Sequence, residues 1–305
     1  MEKHRKKLIK NAAVFDGHSS GLAHGKKIVI EDDLVTEITA DEVSEENFDE
    51  VFDGTGMVAM PGMTDAHVHM GCLFAKGEFP VDYATVLTVA KCKDALMAGF
   101  TTFRDAGSVS EGLKLAFDEG VLPGPRIYPC GAYISQTCGH GDSEYAHTYR
   151  DIQYRHPSST VLVDGVPEII RAVREQFYRG ASHIKLMATE ILNRHEDIRF
   201  LFGTDMMITG PDYQVEQSED IRYYEKRFGT MRALRALTGT ANEVFALTTY
   251  QNPYPKGKIG VLEAGSYADL LLVDGDPTKS VSVLADTDHL RLIMKGGTVY
   301  KNTLC

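Results

Sequence analysis

The sequence predicts an α/β protein, with a parallel sheet in the middle of the chain and a small composite β-sandwich built from both chain ends. Two textures carry that reading. Short β runs punctuated by turn signals occupy both ends, with Asp16-Gly17, Asp53-Gly54 and Asp274-Gly275 as stops. Between them, apolar runs alternate with amphipathic helical patterns, as a parallel sheet requires.

Taken in order, Leu8 to Phe15, Lys27 to Ile30, Leu34 to Ile38 and Val51-Phe52 read as strands. Val58 to Met60, Phe100 to Phe103, Arg126 to Tyr128, His183 to Met187 and Ile198 to Phe202 read as buried parallel strands. Helices fall between them. Val86, Val89, Ala90, Leu96 and Met97 fit one face and stop at Gly99. Ile169, Ile170, Val173 and Phe177 fit another, with Pro167 at its start and Gly180 at its stop. Thr230 is expected to cap a helix carrying Leu234, Leu237, Ala241 and Val244 on one side. Asp269 to Val273, Leu290 to Met294 and Thr298 to Tyr300 return to strand texture. The simplest burial for the terminal strands is against each other, so 1–60 with 258–305 is expected as the sandwich and 61–257 as the α/β unit.

Composition narrows the function classes. A net charge of −11 argues against a nucleic-acid partner, which needs a basic footprint. No stretch approaches the roughly 20 apolar residues of a membrane span, so no membrane partner is expected. The five cysteines, Cys72, Cys92, Cys130, Cys138 and Cys305, form no CxxC, and the charged N-terminus leads into no apolar segment. A reduced, cytoplasmic protein is the expectation.

The chemistry-bearing residues lie in the middle. His67 and His69 stand at i and i+2 on an extended segment and so point the same way. They can offer two imidazole nitrogens to one metal ion, although a bare His-x-His is also what two unrelated histidines look like. Gly203-Thr204-Asp205 ends an apolar run with a carboxylate, which could equally cap the next turn. Lys185, between Ile184 and Leu186, places an amine in an apolar strand. It must pair, snorkel, or carry CO2 as an anionic carbamate.

Together, Asp65-Ala66-His67-Val68-His69, Ile184-Lys185-Leu186-Met187 and Gly203-Thr204-Asp205 resemble the amidohydrolase superfamily. Gly260 to Leu270 with Asp274-Gly275-Asp276-Pro277 resembles its C-terminal signature. The closest branch is similar to the imidazolonepropionase-related enzymes, which include Xaa-Pro dipeptidase-like members. Ile134 to Asp142 resembles that branch's loop after the third strand. The resemblance implies a TIM-like (β/α)8 barrel with a composite β-sandwich, and a binuclear centre, usually zinc, bridged by a carboxylated lysine. It implies His67, His69, Lys185 and Asp205 as metal ligands, and Asp205 also as proton shuttle. His140, in Gly139-His140-Gly141-Asp142, could hydrogen-bond the substrate carbonyl or carboxylate, or be a loop histidine with no role. Tyr133 is a weaker candidate. The implied substrates are small amides, dipeptides or N-acyl amino acids, and a homo-oligomer is compatible.

In the family pattern the lysine stands on strand four and the aspartate ends strand eight, with a metal-binding histidine on each of strands five and six. Here 20 residues separate Lys185 from Asp205, and one βαβ unit alone takes about 30. The interval holds one histidine, His195, in an expected short helix. The span 61–257 has 197 residues against about 250 in a complete barrel. The barrel segment carrying strands five to seven is therefore expected to be absent, either through a deletion or because this sequence leaves a stretch of the chain out. A complete family site takes two zinc ions, whereas the donors present suffice for one or none. Three readings follow: a hydrolase of C–N bonds, an inactive remnant that binds or supports, and a one-metal deaminase. Lys185 argues against the last, which uses no bridging lysine.

Overall fold

The structure, a computed structural model, describes residues 5–70, 81–107, 109, 111–137, 139, 141–142, 160–186, 199–207 and 213–304. Six strands open the chain: β1 (Lys6–Lys10), β2 (Ala13–Val14), β3 (Lys27–Glu31), β4 (Leu34–Thr39), β5 (Glu50–Asp53) and β6 (Val58–Pro61). The run Leu8 to Phe15, expected as one strand, is divided at Asn11. That residue adopts a left-handed φ of 64°, and its side-chain amide donates to the Asp53 carboxylate. The division sends β1 into a four-stranded sheet of order β4-β3-β1-β5, while β2 joins a different sheet beside β6.

The middle of the chain supplies β7 (Met63–His69), α1 (Val81–Met97), β8 (Phe100–Asp105), α2 (Glu111–Asp118), β9 (Arg126–Tyr128), β10 (Tyr133–Ser135), β11 (Thr160–Leu162), α3 (Val166–Tyr178), β12 (Met206–Met207), α4 (Tyr213–Phe228), α5 (Thr230–Leu237) and α6 (Gly239–Phe245). Strands β12, β7, β8 and β9 form a parallel sheet in that order. Strands β10 and β11 pair in parallel. The Lys185 segment runs beside β10, where the Ile134 N–H donates to the Lys185 carbonyl and Ile134 bridges Leu186.

The last strands are β13 (Leu270–Val273), β14 (Leu290–Lys295) and β15 (Thr298–Asn302). They complete a five-stranded sheet of order β15-β14-β13-β6-β2. Strand β6 is therefore not one of the parallel strands of the middle, as its apolar run suggested. It pairs antiparallel with β13, Val58 opposite Val273, and the parallel sheet begins at β7. Alternation along this five-stranded sheet divides it between two cores. Val58, Met60, Leu271, Val273 and Ile293 join the helices and the central sheet in one apolar cluster. Ala59, Leu270, Leu272, Leu292 and Met294 join Ile9, Ile28, Ile30 and Phe52 in another. Burial on both faces explains why Leu270-Leu271-Leu272-Val273 shows no polar alternation.

Three helical readings need correction. Val86 is 67% exposed; α1 buries Leu96 as expected, but together with Cys92 and Ala95. Ile169 and Ile170 of α3 are exposed, while Ala172 and Gln176 point inward; the Gln176 side-chain Oε1 accepts the Ala132 N–H at 2.9 Å. The helix starting at Thr230 is capped by Gly229 and ends at Leu237. There Thr238 turns its hydroxyl back to the Leu234 carbonyl. The next helix must start on glycine, because a Cβ at Gly239 would stand 2.1 Å from the Gly17 carbonyl oxygen. Among the described residues, no helix is long and apolar enough to cross a membrane.

Candidate metal centre

Strand β7 fixes the two histidines. Val68 is fully buried in the apolar cluster beneath the helices, so strand alternation turns His67 and His69 to the opposite face. The segment 202–205 runs alongside without regular strand geometry. The Ala66 N–H donates to the Phe202 carbonyl at 2.8 Å and the Asp205 N–H to the His67 carbonyl at 2.7 Å. Gly203 permits this approach, since a Cβ there would lie 2.7 Å from the His67 Cβ. Asp205 then takes a left-handed φ of 56°, a conformation that costs a non-glycine residue about 1 kcal/mol.

That strained turn delivers the carboxylate to the histidines. His67 Nε2 lies 2.9 Å and His69 Nε2 3.0 Å from Asp205 Oδ1. One ligand atom from each residue falls within 4.8 Å of the other two. Two imidazole nitrogens and one carboxylate oxygen are a donor set suited to zinc. Side-chain exposure rises from 11% at His69 through 34% at His67 to 70% at Asp205, so the group opens to solvent on the Asp205 side. Lys185 Nζ stands 2.8 Å from His67 Nε2. Burial, then the Lys185 charge, pull the His67 pKa down to about 4, with the Asp205 carboxylate opposing. At neutral pH His67 therefore keeps a lone pair for a metal.

A buried acid holds the turn in place. The Asp65 carboxylate accepts the His67 N–H, the Thr204 N–H and hydroxyl, and the Gln217 side-chain amide, at 2.9–3.3 Å. Burial nevertheless pushes its pKa up to about 6. Asp65 thus joins β7, the 203–205 turn and α4, and positions Asp205 indirectly. Beside it, Asp105 accepts the N–H groups of Met70, Gly107 and Val109, and its pKa rises to about 7 through burial.

Of the residues singled out by sequence, His67, His69, Asp205 and Lys185 come together. His140 and His195 lie outside the described residues. The Tyr133 ring lies beside Gly107, where a Cβ would stand 2.6 Å from the Tyr133 Cδ1. Sequence reasoning missed Asp65, Thr204 and Arg104. Asp65 could have been found as a charged residue inside the fully buried run Met63 to Ala66, two positions before the first histidine. Arg104 interrupts a buried strand in the same way.

Residues 58–197 match the amidohydrolase family. Ochratoxinase of Aspergillus niger is 32% identical over 164 residues, and the match covers 47% of this chain but only 34% of that protein. The chain thus spans about a third of the length of this curated relative. Among solved structures, a prolidase complexed with N-methylphosphonate-L-proline superposes with a TM-score of 0.83 at 22% identity, covering 97% of this chain and 100% of that one. The Aspergillus niger ochratoxinase structure gives 0.78 at 19% identity, covering 99% and 96%. At these identities the superpositions establish the fold alone.

Proposed function

We propose, since this chain belongs to the amidohydrolase superfamily, that it hydrolyses C–N bonds of small amides, with N-acyl amino acids and dipeptides as the substrate class. The observation that carries the reading is the convergence of His67 Nε2 and His69 Nε2 on Asp205 Oδ1. His67, His69 and Asp205 would hold one divalent ion, zinc by donor type. When bound, such an ion supplies Lewis-acid polarisation to the scissile carbonyl.

The chain's own residues supply the rest. Asp205, the most exposed of the three, is placed to take a proton from the attacking water and return it to the leaving nitrogen. His67 and His69 stay fixed by strand β7, and Asp65 holds the turn on which Asp205 is carried. Lys185 in its unmodified, protonated form puts a cation beside His67, which opposes metal binding. Addition of CO2 to its neutral amine, with loss of one proton, would replace that cation with an anionic carbamate. The incomplete barrel read from the sequence, with the terminal strands as a separate sandwich, is part of this proposal.

Metal analysis and turnover test it together. Purified chain should hold about one zinc ion, and His69→Ala should release it and abolish hydrolysis of an N-acyl amino acid and dipeptide panel. Zinc content indifferent to His69→Ala would overturn the site. A second reading, a binding protein without turnover, is favoured by one fact. Among the described residues a single group of three metal-ligating side chains is found, fewer donors than a two-metal site needs. Zinc bound stoichiometrically with no turnover on the panel would select it.

A further inference from the structure

The face of the central sheet that carries His67 and His69 also carries a second cation, Arg104, which the reaction scheme above leaves unused. Phe103 is fully buried in the cluster beneath the helices together with Val68. Alternation along β8 therefore turns Arg104 to the histidine face. It sits next to β7, where its guanidinium donates to the Ala66 carbonyl at 3.4 Å, a long and weak bond. Among the described residues no carboxylate lies within ion-pair distance of it. Asp105, its neighbour in sequence, spends its oxygens on three backbone N–H groups. Asp205 is engaged by the two histidines. Cys130, His67 and His183 feel the Arg104 charge, and none of the three is a carboxylate. Arg104 is also partly buried, and burial lowers its pKa, with only Cys130 opposing.

Elsewhere the chain treats a buried arginine differently. Arg126 is held by both oxygens of the buried Asp269, at 2.7 and 3.2 Å. A desolvated guanidinium without such a partner is costly, because five N–H donors lose water and gain little.

We propose that Arg104 is the residue that receives a carboxylate-type anion at this site. The planar fork of a guanidinium matches the two oxygens of such a group. Two sources share that chemistry. One is the free carboxylate of an N-acyl amino acid or dipeptide. The other is the carbamate formed when the Lys185 amine adds CO2 and loses a proton. The inference rests on the hydrolase reading for the identity of the substrate, and its test does not depend on turnover.

The test uses the 305-residue chain and its Arg104→Met, Arg104→Gln and Arg104→Lys variants, each checked by melting temperature. In one arm, binding of N-acetyl-L-phenylalanine is compared with that of its amide by calorimetry. If the substrate carboxylate is the anion, wild type prefers the acid and Arg104→Met loses about tenfold or more in affinity for it. Its affinity for the amide stays within about twofold, and Arg104→Lys recovers part of the loss. In the other arm, 13C-labelled bicarbonate is added and the lysine carbamate signal is followed by NMR. If the carbamate is the anion, the signal is present in wild type, lost in Arg104→Met and partly retained in Arg104→Lys. A change in either arm supports the proposal and identifies the source. Arg104→Met or Arg104→Gln behaving as wild type in both arms overturns it. Absence of turnover in wild type would count against the hydrolase reading alone, since both arms still report.

Discussion

At the scale of the residue, Asp205 decides whether the centre exists. Its carboxylate reaches His67 and His69 only because the backbone there is left-handed. Asn tolerates that conformation better than other non-glycine residues, whereas a β-branched side chain does not. Asp205→Asn should therefore leave stability within about 0.5 kcal/mol while lowering turnover by about 10²–10⁴-fold. Asp205→Val should lose turnover and, in addition, about 1–2 kcal/mol of stability. Denaturant melts and rate measurements on the two variants separate the effects. Equal stability of Asn and Val variants would show that the turn carries no strain. The histidine pair was legible in sequence because i and i+2 on a strand share a face whatever the surroundings. Asp205 was legible as a carboxylate after Gly-Thr, but the reason it converges was not. That reason is a φ sign at a non-glycine residue and a buried Asp65 reaching across to Thr204 and Gln217.

At the scale of elements, the joint between the parallel sheet and the terminal sheet is a buried ion pair. Arg126 of β9 binds Asp269, which also accepts the Gly296 N–H, and the guanidinium lies 3.8 Å from the centre of the Tyr267 ring. Removing one partner strands a buried charge, so Asp269→Ala should destabilise by about 3–5 kcal/mol. Replacing both with apolar residues, Arg126→Met with Asp269→Leu, should recover most of that loss. Chemical denaturation of the two singles and the double checks it; purely additive losses would argue against the ion-pair account. Element existence was largely readable from apolar runs and turn signals. Which face each element buries was not. The exposed Ile169 and Ile170 obey helical periodicity as well as buried residues would. The assignment of β6 to the terminal sheet depends on a partner more than 200 residues away in sequence.

At the scale of the whole molecule, the five-stranded sheet serves two cores at once. The apolar cluster under the central sheet includes Phe15, Val58 and Met60 from the first sixty residues and Leu271, Val273, Leu290 and Ile293 from the last forty. A fragment comprising 61–257 would expose those contacts to water, at about 25 cal/mol for each Å² of apolar surface uncovered. The fragment should lack a cooperative thermal transition, while the 305-residue chain should melt in a single step. Calorimetry decides: a fragment with its own sharp transition would mean that the two cores are energetically separable.

The same sheet imposes a schedule on the chain as it is made. Val58 finds its partner in Val273, 215 residues later. At a synthesis rate of about 5–20 residues per second, β6 waits on the order of 10–40 s after leaving the ribosome before β13 exists. Throughout that interval Val58-Ala59-Met60, destined to be buried on both faces, stands as an unpaired apolar edge. Until β13 emerges, the newborn chain is thus exposed to wrong partners along this edge, and pairing with β13 ends that exposure.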